Sequence, residues 1–159
     1  MTRKHRLVFF GVLSYVILVF IFSNSLQSGF ESNAKSGWVA EFLTPLLNPF
    51  GWIPEDVFHR LIRKLAHFTE FGALGVCLAG VSMNIAWQGK RRWVAPIIVA
   101  FLVASIDETI QRFTGRTSLF KDVLIDLSGA TCGVLLVALI LLLWQKHKRK
   151  QGGKSSCPN

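Results

Sequence analysis

Ionisable side chains recur at helical spacings in several stretches of this 159-residue chain. Lys64, His67 and Glu70 follow one another at three-residue steps, and Asp122 and Asp126 lie four residues apart. Residues three or four apart occupy the same face of a helix. Carboxyl groups held close together can serve as general acid and base, and histidine adds a group that titrates near neutral pH. The spacing therefore predicts acid–base chemistry or polar-ligand binding along these faces.

Further polar residues occur where a third apolar stretch ends, with Asp107 and Gln111 again four apart. The candidate acid–base or ligand-binding residues are His67, Glu70, Asp107 and Asp126, and the candidate binding residues are Ser23, Gln27, Lys64, Glu108, Gln111, Arg116 and Asp122. The alternative is a purely structural network, in which the carboxylates pair with neighbouring cations and fix the helix register. Adjacent acids such as Asp107 and Glu108 add like-charge repulsion, which favours a functional site.

Other site chemistries have weaker signals. Imidazole and carboxylate are possible metal ligands, but His67 is the one histidine in the set, the set lacks cysteine, and no H-E-x-x-H motif occurs. We therefore predict no resident metal and no cofactor. The chain also lacks a G-x-S-x-G nucleophile motif and a glycine-rich phosphate loop.

Long apolar runs must position these residues. Half of the chain (51%) is hydrophobic and the mean hydropathy is +0.42, which exceeds what a soluble domain of this length can bury. We predict an all-α, polytopic membrane protein in which residues 7–144 form a four-transmembrane-helix bundle. The spans are expected at about 7–23, 62–87, 93–112 and 123–144. The third is long enough only if the helix continues through Asp107 towards Phe113. The first run also resembles a signal peptide, but its length favours an uncleaved anchor.

The first loop, residues 24–61, carries a short amphipathic pattern. Apolar residues at positions 39, 42, 43, 46 and 47 share one helical face, and Pro45 disfavours a long helix. We predict an interfacial helix here, either as a lid on the bundle or as a surface that guides a lipid head group. Pro54, Glu55 and Asp56 are typical of a helix start, so the second helix is expected to begin near residue 55.

Charge asymmetry predicts the orientation. With both termini on one side of the membrane, that side holds eleven Lys and Arg and no acid, whereas all nine acids belong to the other side. The positive-inside rule then predicts that the N-terminal residues 1–6 and the basic tail 145–159 lie on the cytoplasmic side of a bacterial inner membrane. The net charge of +9 is thus explained by topology. We predict no nucleic-acid partner, since no aromatic residues alternate with the basic tail.

Four motifs together resemble the VanZ-like family of small bacterial membrane proteins. They are FSNSLQ (22–27), RKLAHFTEFGALG (63–75), DETIQRFTGR (107–116) and KDVLIDLSGATCG (121–133). The family positions correspond to all eleven candidate residues named above and to Gly129, while Phe71 stands where the family more often has tyrosine. The resemblance implies a cell-envelope protein, and the family's namesake is linked to lowered susceptibility to the glycopeptide antibiotic teicoplanin. It implies no particular reaction.

Three functions are compatible with this sequence. The first is recognition of a lipid-linked cell-wall precursor or a glycopeptide at the outer face of the membrane. The second is a membrane-embedded acid–base enzyme acting on an envelope lipid or its precursor. The third, a proton-coupled transporter, is disfavoured because the acids are confined to one end of the helices and leave the other half apolar. Membrane lipids are expected partners in every case, and the sequence does not predict an oligomeric state.

Overall fold

Four long helices form the fold of the chain. The computed structural model describes residues 2–27, 42–46, 48, 52–85, 87–115 and 120–152. The helices are α1 (Arg3–Ser25), α2 (Glu55–Asn84), α3 (Arg91–Phe113) and α4 (Phe120–Gly152), and the described residues contain no strand. Each helix is long and apolar enough to cross a membrane. The prediction of an all-α four-helix bundle is confirmed, and the chain is a multi-pass membrane protein.

Local signals explain where α2 and α3 begin and end. Pro54 directly precedes α2, and the acids Glu55 and Asp56 lie in its first turn, as the sequence predicted. Helix α2 ends at Asn84, whose side-chain amide donates a hydrogen bond to the Gly80 carbonyl (2.8 Å). Helix α3 continues through its acidic residues to Phe113, which supplies the length that its apolar part lacks.

The helix ends gather at two opposite ends of the bundle. Arg3 Nε donates to the Asn84 carbonyl (2.9 Å), and Ser82 Oγ donates to the Arg92 carbonyl (2.7 Å). These bonds join the starts of α1 and α3 to the end of α2, where the basic residues lie; we call this the basic end. The opposite end, where α1 and α3 finish and α2 and α4 begin, is called the polar end.

Helices α2 and α4 approach each other through glycines. A Cβ atom added at Gly133 would lie 2.1 Å from the Gly72 carbonyl oxygen, and one at Gly129 would lie 2.2 Å from the Phe68 carbonyl oxygen. Another at Gly75 would lie 2.2 Å from the carbonyl oxygen of Ala130. The two backbones are therefore in direct contact, as the G-x-x-x-G spacing of α4 predicts. This contact brings the candidate residues of α2 and α4 face to face.

Apolar packing supports the bundle beneath the polar end. The buried core is formed by Ile21, Phe71, Leu74, Ala100, Val103, Ala104, Val123 and Ala130. The outward faces stay apolar as well: Phe9, Val12 and Phe20 of α1 are all more than half exposed. Apolar side chains on both the inner and the outer faces are typical of helices surrounded by lipid.

Part of the first loop packs against the start of α2. Residues 42–46 are helical, and Leu43 contacts the buried pair Phe58 and Ile62. The side chain of Asn48 fixes the following turn: its Nδ2 donates to the Ile53 carbonyl (2.8 Å), and its Oδ1 accepts from the Ile53 amide (3.2 Å). The remaining two positions of the predicted apolar face, 39 and 47, lie outside the described residues.

Candidate functional site

Ionisable and amide side chains are buried at the polar end of the bundle. Asp107 is 0% exposed, Asp126 1%, Glu108 5% and Gln111 6%. Burial of carboxylates among apolar helices is costly unless they are paired or functional. These residues come from α3 and α4, and the residues of α1 and α2 described below complete the group. We call this group the polar cluster.

Both carboxylate oxygens of Asp107 accept hydrogen bonds. Ser25 Oγ donates to Asp107 Oδ1 (2.5 Å), and Gln111 Nε2 donates to Asp107 Oδ2 (2.7 Å). Thr114 Oγ1 donates in turn to the Ser25 carbonyl (3.2 Å), which ties the end of α1 to the end of α3. A buried carboxylate fixed by two donors has a defined orientation, so its position in the cluster is set by α1 and α3 together.

His67 links α2 to this carboxylate and to α4. Its Nδ1 lies 3.7 Å from Asp126 Oδ1 and 4.0 Å from Asp107 Oδ2, and its side chain is 17% exposed. Asp126 Oδ2 is buried and has no hydrogen-bond partner among the described residues. One imidazole thus faces two buried carboxylates from two different helices, an arrangement suited to proton transfer or to ligation of a cation.

The outer rim of the cluster carries cations. Lys64 Nζ donates to Asp122 Oδ1 (3.0 Å), and the two side chains are 41% and 24% exposed. Both residues lie one turn nearer the polar end than His67 and Asp126. A cavity of about 30 Å³ opens between rim and interior, lined by Arg63, Lys64, His67, Glu108, Gln111, Asp122, Ile125 and Asp126. This volume holds one or two waters or a single ion.

The structure brings most of the sequence candidates together. The residues gathered in the polar cluster are Lys64, His67, Asp107, Glu108, Gln111, Asp122 and Asp126. Glu70 is half-buried with its Oε2 enclosed, but the cavity lining does not include it. Gln27 is half-buried beyond the end of α1 and also does not line the cavity. Arg116 lies outside the described residues.

Helix α1 contributes a different serine from the one predicted. Ser23 is exposed, whereas Ser25 is fully buried and donates to Asp107. Sequence reasoning also missed Arg63 and Ile125 in the cavity lining. The sequence gives only a weak signal for which serine faces the interior, because α1 is apolar on all sides and its pattern does not show the inward face. Ser25 lies about one turn after Ile21, and the burial of Ile21 in the structure identifies this face of α1 as the inward one.

The two serines of α1 give a direct comparison. We expect Ser25→Ala to lower the free energy of unfolding by about 1.5–3 kcal/mol, because a hydrogen bond to a buried carboxylate is lost. Ser23→Ala should change it by less than about 0.5 kcal/mol, since its side chain is exposed. Thermal unfolding of both variants in the same detergent measures the difference. Equal stability of the two variants would contradict the placement of Ser25.

Comparison with known proteins adds one family relationship. A family model described as VanZ/LLP1 matches residues 10–142, from within α1 to near the end of the apolar part of α4. The match therefore covers all four helices and every described residue of the polar cluster. Searches among curated proteins and among solved structures returned no match.

Proposed function

Since the chain belongs to the VanZ/LLP1 family, we propose that it recognises a polar lipid-linked or glycopeptide ligand at the outer face of the bacterial inner membrane. By holding this ligand, the protein lowers susceptibility to teicoplanin-type antibiotics. The observation that carries the proposal is the buried polar cluster at one end of an otherwise apolar bundle. Ionisable groups inside membrane-spanning helices are retained where they serve a ligand, an ion or a reaction.

Orientation follows from the charges at the two ends. Residues 3–6 and 90–92 both lie at the basic end, since Arg3 donates to the Asn84 carbonyl and Ser82 donates to the Arg92 carbonyl. The positive-inside rule assigns the end rich in Lys and Arg, and with it both termini, to the cytoplasm. The polar cluster then faces the cell envelope, where cell-wall precursors and glycopeptides occur.

The shape of the cavity restricts how a ligand binds. A volume of about 30 Å³ cannot enclose a sugar or a peptide. The ligand therefore sits at the mouth and inserts a single small group. Arg63 and Lys64 at the rim suit a phosphate or carboxylate, which are common to lipid-linked precursors and to glycopeptides. The exposed apolar side chains Phe42 and Leu46 near the start of α2 offer a surface for an acyl or isoprenoid chain.

A second candidate function is acid–base catalysis on an envelope lipid or its precursor. The observation in its favour is the position of His67, with Nδ1 3.7 Å from Asp126 and 4.0 Å from Asp107. A histidine oriented by a carboxylate is a common general base. The two functions differ in outcome, because a catalyst turns over its ligand with a bell-shaped pH dependence, whereas a binding protein returns the ligand unchanged.

Susceptibility of cells that express the chain tests the proposal. We expect expression to raise the inhibitory concentration of teicoplanin, and His67→Ala, Asp107→Ala or Asp126→Asn to return it to the value of the empty vector. Matched controls are His59→Ala and Asp56→Asn on α2, outside the polar cluster. Both controls should retain the effect at equal membrane levels. Retention of the full effect by all three cluster variants would contradict the polar cluster as the functional site.

A further inference from the structure

We propose that His67, Asp107 and Asp126 form a binding site for a divalent transition-metal cation such as Zn²⁺. One ligand atom from each residue lies within 4.8 Å of the other two. The three residues come from α2, α3 and α4, so the bundle itself assembles the site. The sequence prediction of no metal relied on the absence of a local motif such as H-E-x-x-H. The proposed ligands are 40 and 19 positions apart along the chain, so a local motif would not contain them.

The distances suit a shared cation. Ligand atoms bound to one Zn²⁺ at about 2.0–2.2 Å lie about 3.3–3.6 Å apart in tetrahedral geometry. The separations from His67 Nδ1 to the carboxylate oxygens of Asp126 and Asp107 are 3.7 and 4.0 Å, slightly wider than this. They are also longer than a direct hydrogen bond. A contraction of a few tenths of an ångström brings His67 Nδ1 to the spacing of a shared cation with either carboxylate oxygen.

The environment of Asp126 points independently to a bound ligand. Its side chain is 2% exposed, and its Oδ2 has no hydrogen-bond partner among the described residues. Asp126 also lines the cavity, which has room for a water or a single ion beside this oxygen. A buried carboxylate oxygen without a donor is costly, and a cation in the adjacent space would satisfy it.

Neighbouring residues support the proposed ligands. The hydrogen bonds from Ser25 and Gln111 fix the orientation of Asp107, in the way that partners of metal-binding carboxylates commonly do. The cavity beside His67 and Asp126 leaves space for water in the fourth coordination position. Three protein ligands and one open position are typical of zinc sites that bind or activate a further molecule.

The chemistry of the ligands favours a transition metal. Ca²⁺ takes six to eight oxygen ligands, and Mg²⁺ demands octahedral oxygen coordination. A set of one imidazole and two carboxylates instead suits Zn²⁺ and similar ions. Binding of a cation here does not depend on the proposed recognition of a lipid-linked or glycopeptide ligand, because Arg63 and Lys64 at the rim take no part in it.

Metal titration of the full-length chain in detergent tests the site. After chelation and dialysis, we expect the chain to bind about one equivalent of Zn²⁺, measured by elemental mass spectrometry and calorimetry. His67→Gln and Asp126→Asn should each weaken this binding at least about tenfold. The matched controls His59→Gln and Asp56→Asn should bind as the unaltered chain does. Equal binding by cluster and control variants would overturn the proposal.

Cobalt substitution provides a test that needs no variant. We expect Co²⁺ to bind the unaltered chain and produce visible absorption bands that stoichiometric Zn²⁺ removes. The metal site would be overturned if these bands were absent and the chain bound no more Zn²⁺ than a protein-free detergent blank. This result holds even if the cluster variants fail to fold. Recognition of a lipid-linked ligand is measured separately, by the lipid that co-purifies with the chain. A chain that binds no metal can therefore still be tested for lipid binding, and the reverse also holds.

Discussion

Replacing Gly133 with leucine should prevent the chain from forming a stable bundle. A Cβ atom at this position would lie 2.1 Å from the Gly72 carbonyl oxygen, and the obstacle is backbone that cannot rotate away. Helices α2 and α4 would have to separate, which removes the closest packing in the bundle and pulls His67 away from Asp126. We expect a loss of about 3 kcal/mol or more in the free energy of unfolding.

Gly11 of α1 provides the matched control for this substitution. A Cβ atom at Gly11 would have no neighbour within 4 Å, so Gly11→Leu should leave the bundle intact. Thermal unfolding in detergent, followed by size-exclusion chromatography, measures both variants. A Gly133→Leu protein that is as stable as the Gly11→Leu protein would contradict the contact between α2 and α4.

Replacing Asp107 with alanine should produce the second large effect. This side chain is fully buried and accepts hydrogen bonds from Ser25 and Gln111, so its removal leaves two buried donors without their acceptor. Each lost bond to a charged group costs about 1.5–3 kcal/mol, which predicts a total loss of about 3–5 kcal/mol. The same change removes the carboxylate that faces His67, so antibiotic protection should fall to the level of the empty vector.

Two further variants separate the loss of charge from general disruption. Asp107→Asn keeps a side-chain oxygen that can accept one of the two bonds, and we expect it to be less destabilised than Asp107→Ala. Asp56→Ala removes an exposed carboxylate that pairs with Arg60 within one turn, and should cost about 1 kcal/mol or less. Thermal unfolding compares the three variants, and an Asp107→Ala protein that matches Asp56→Ala would refute the network around Asp107.

Much of the fold follows from the sequence because each span is marked by composition and length. The four helices, the start of α2 at Glu55 and the extension of α3 to Phe113 were all predicted from apolar runs and start signals. The spacing of Gly129 and Gly133 also indicates the close contact of α4 with a neighbouring helix, because small residues four positions apart let two backbones approach. These features are local, so a single stretch of chain specifies each of them.

The details of the polar cluster depend on how helices rotate against one another. On α4 the acids Asp122 and Asp126 share one helical face with Gly129 and Gly133, so the spacing itself indicates the inward side. Helix α1 has no such asymmetry, and the sequence therefore favoured Ser23 although Ser25 is the buried residue. Depth along a helix also does not decide which residues line the cavity: Glu70 is deeper than His67 but is not part of the lining. Which residues are buried and which line the cavity is decided by the packing of all four helices, so a single stretch of sequence does not predict it.

Mass spectrometry of co-purified lipid tests the central claim most directly, namely that the polar cluster holds an envelope ligand. The full-length chain should carry an anionic lipid-linked molecule, and the double variant Arg63→Gln, Lys64→Gln should lose it at least about tenfold, since two charge-assisted contacts are removed. The matched double variant Arg60→Gln, Lys121→Gln, with both changes at exposed positions, should retain it. The same lipid content in both double variants would contradict the claim.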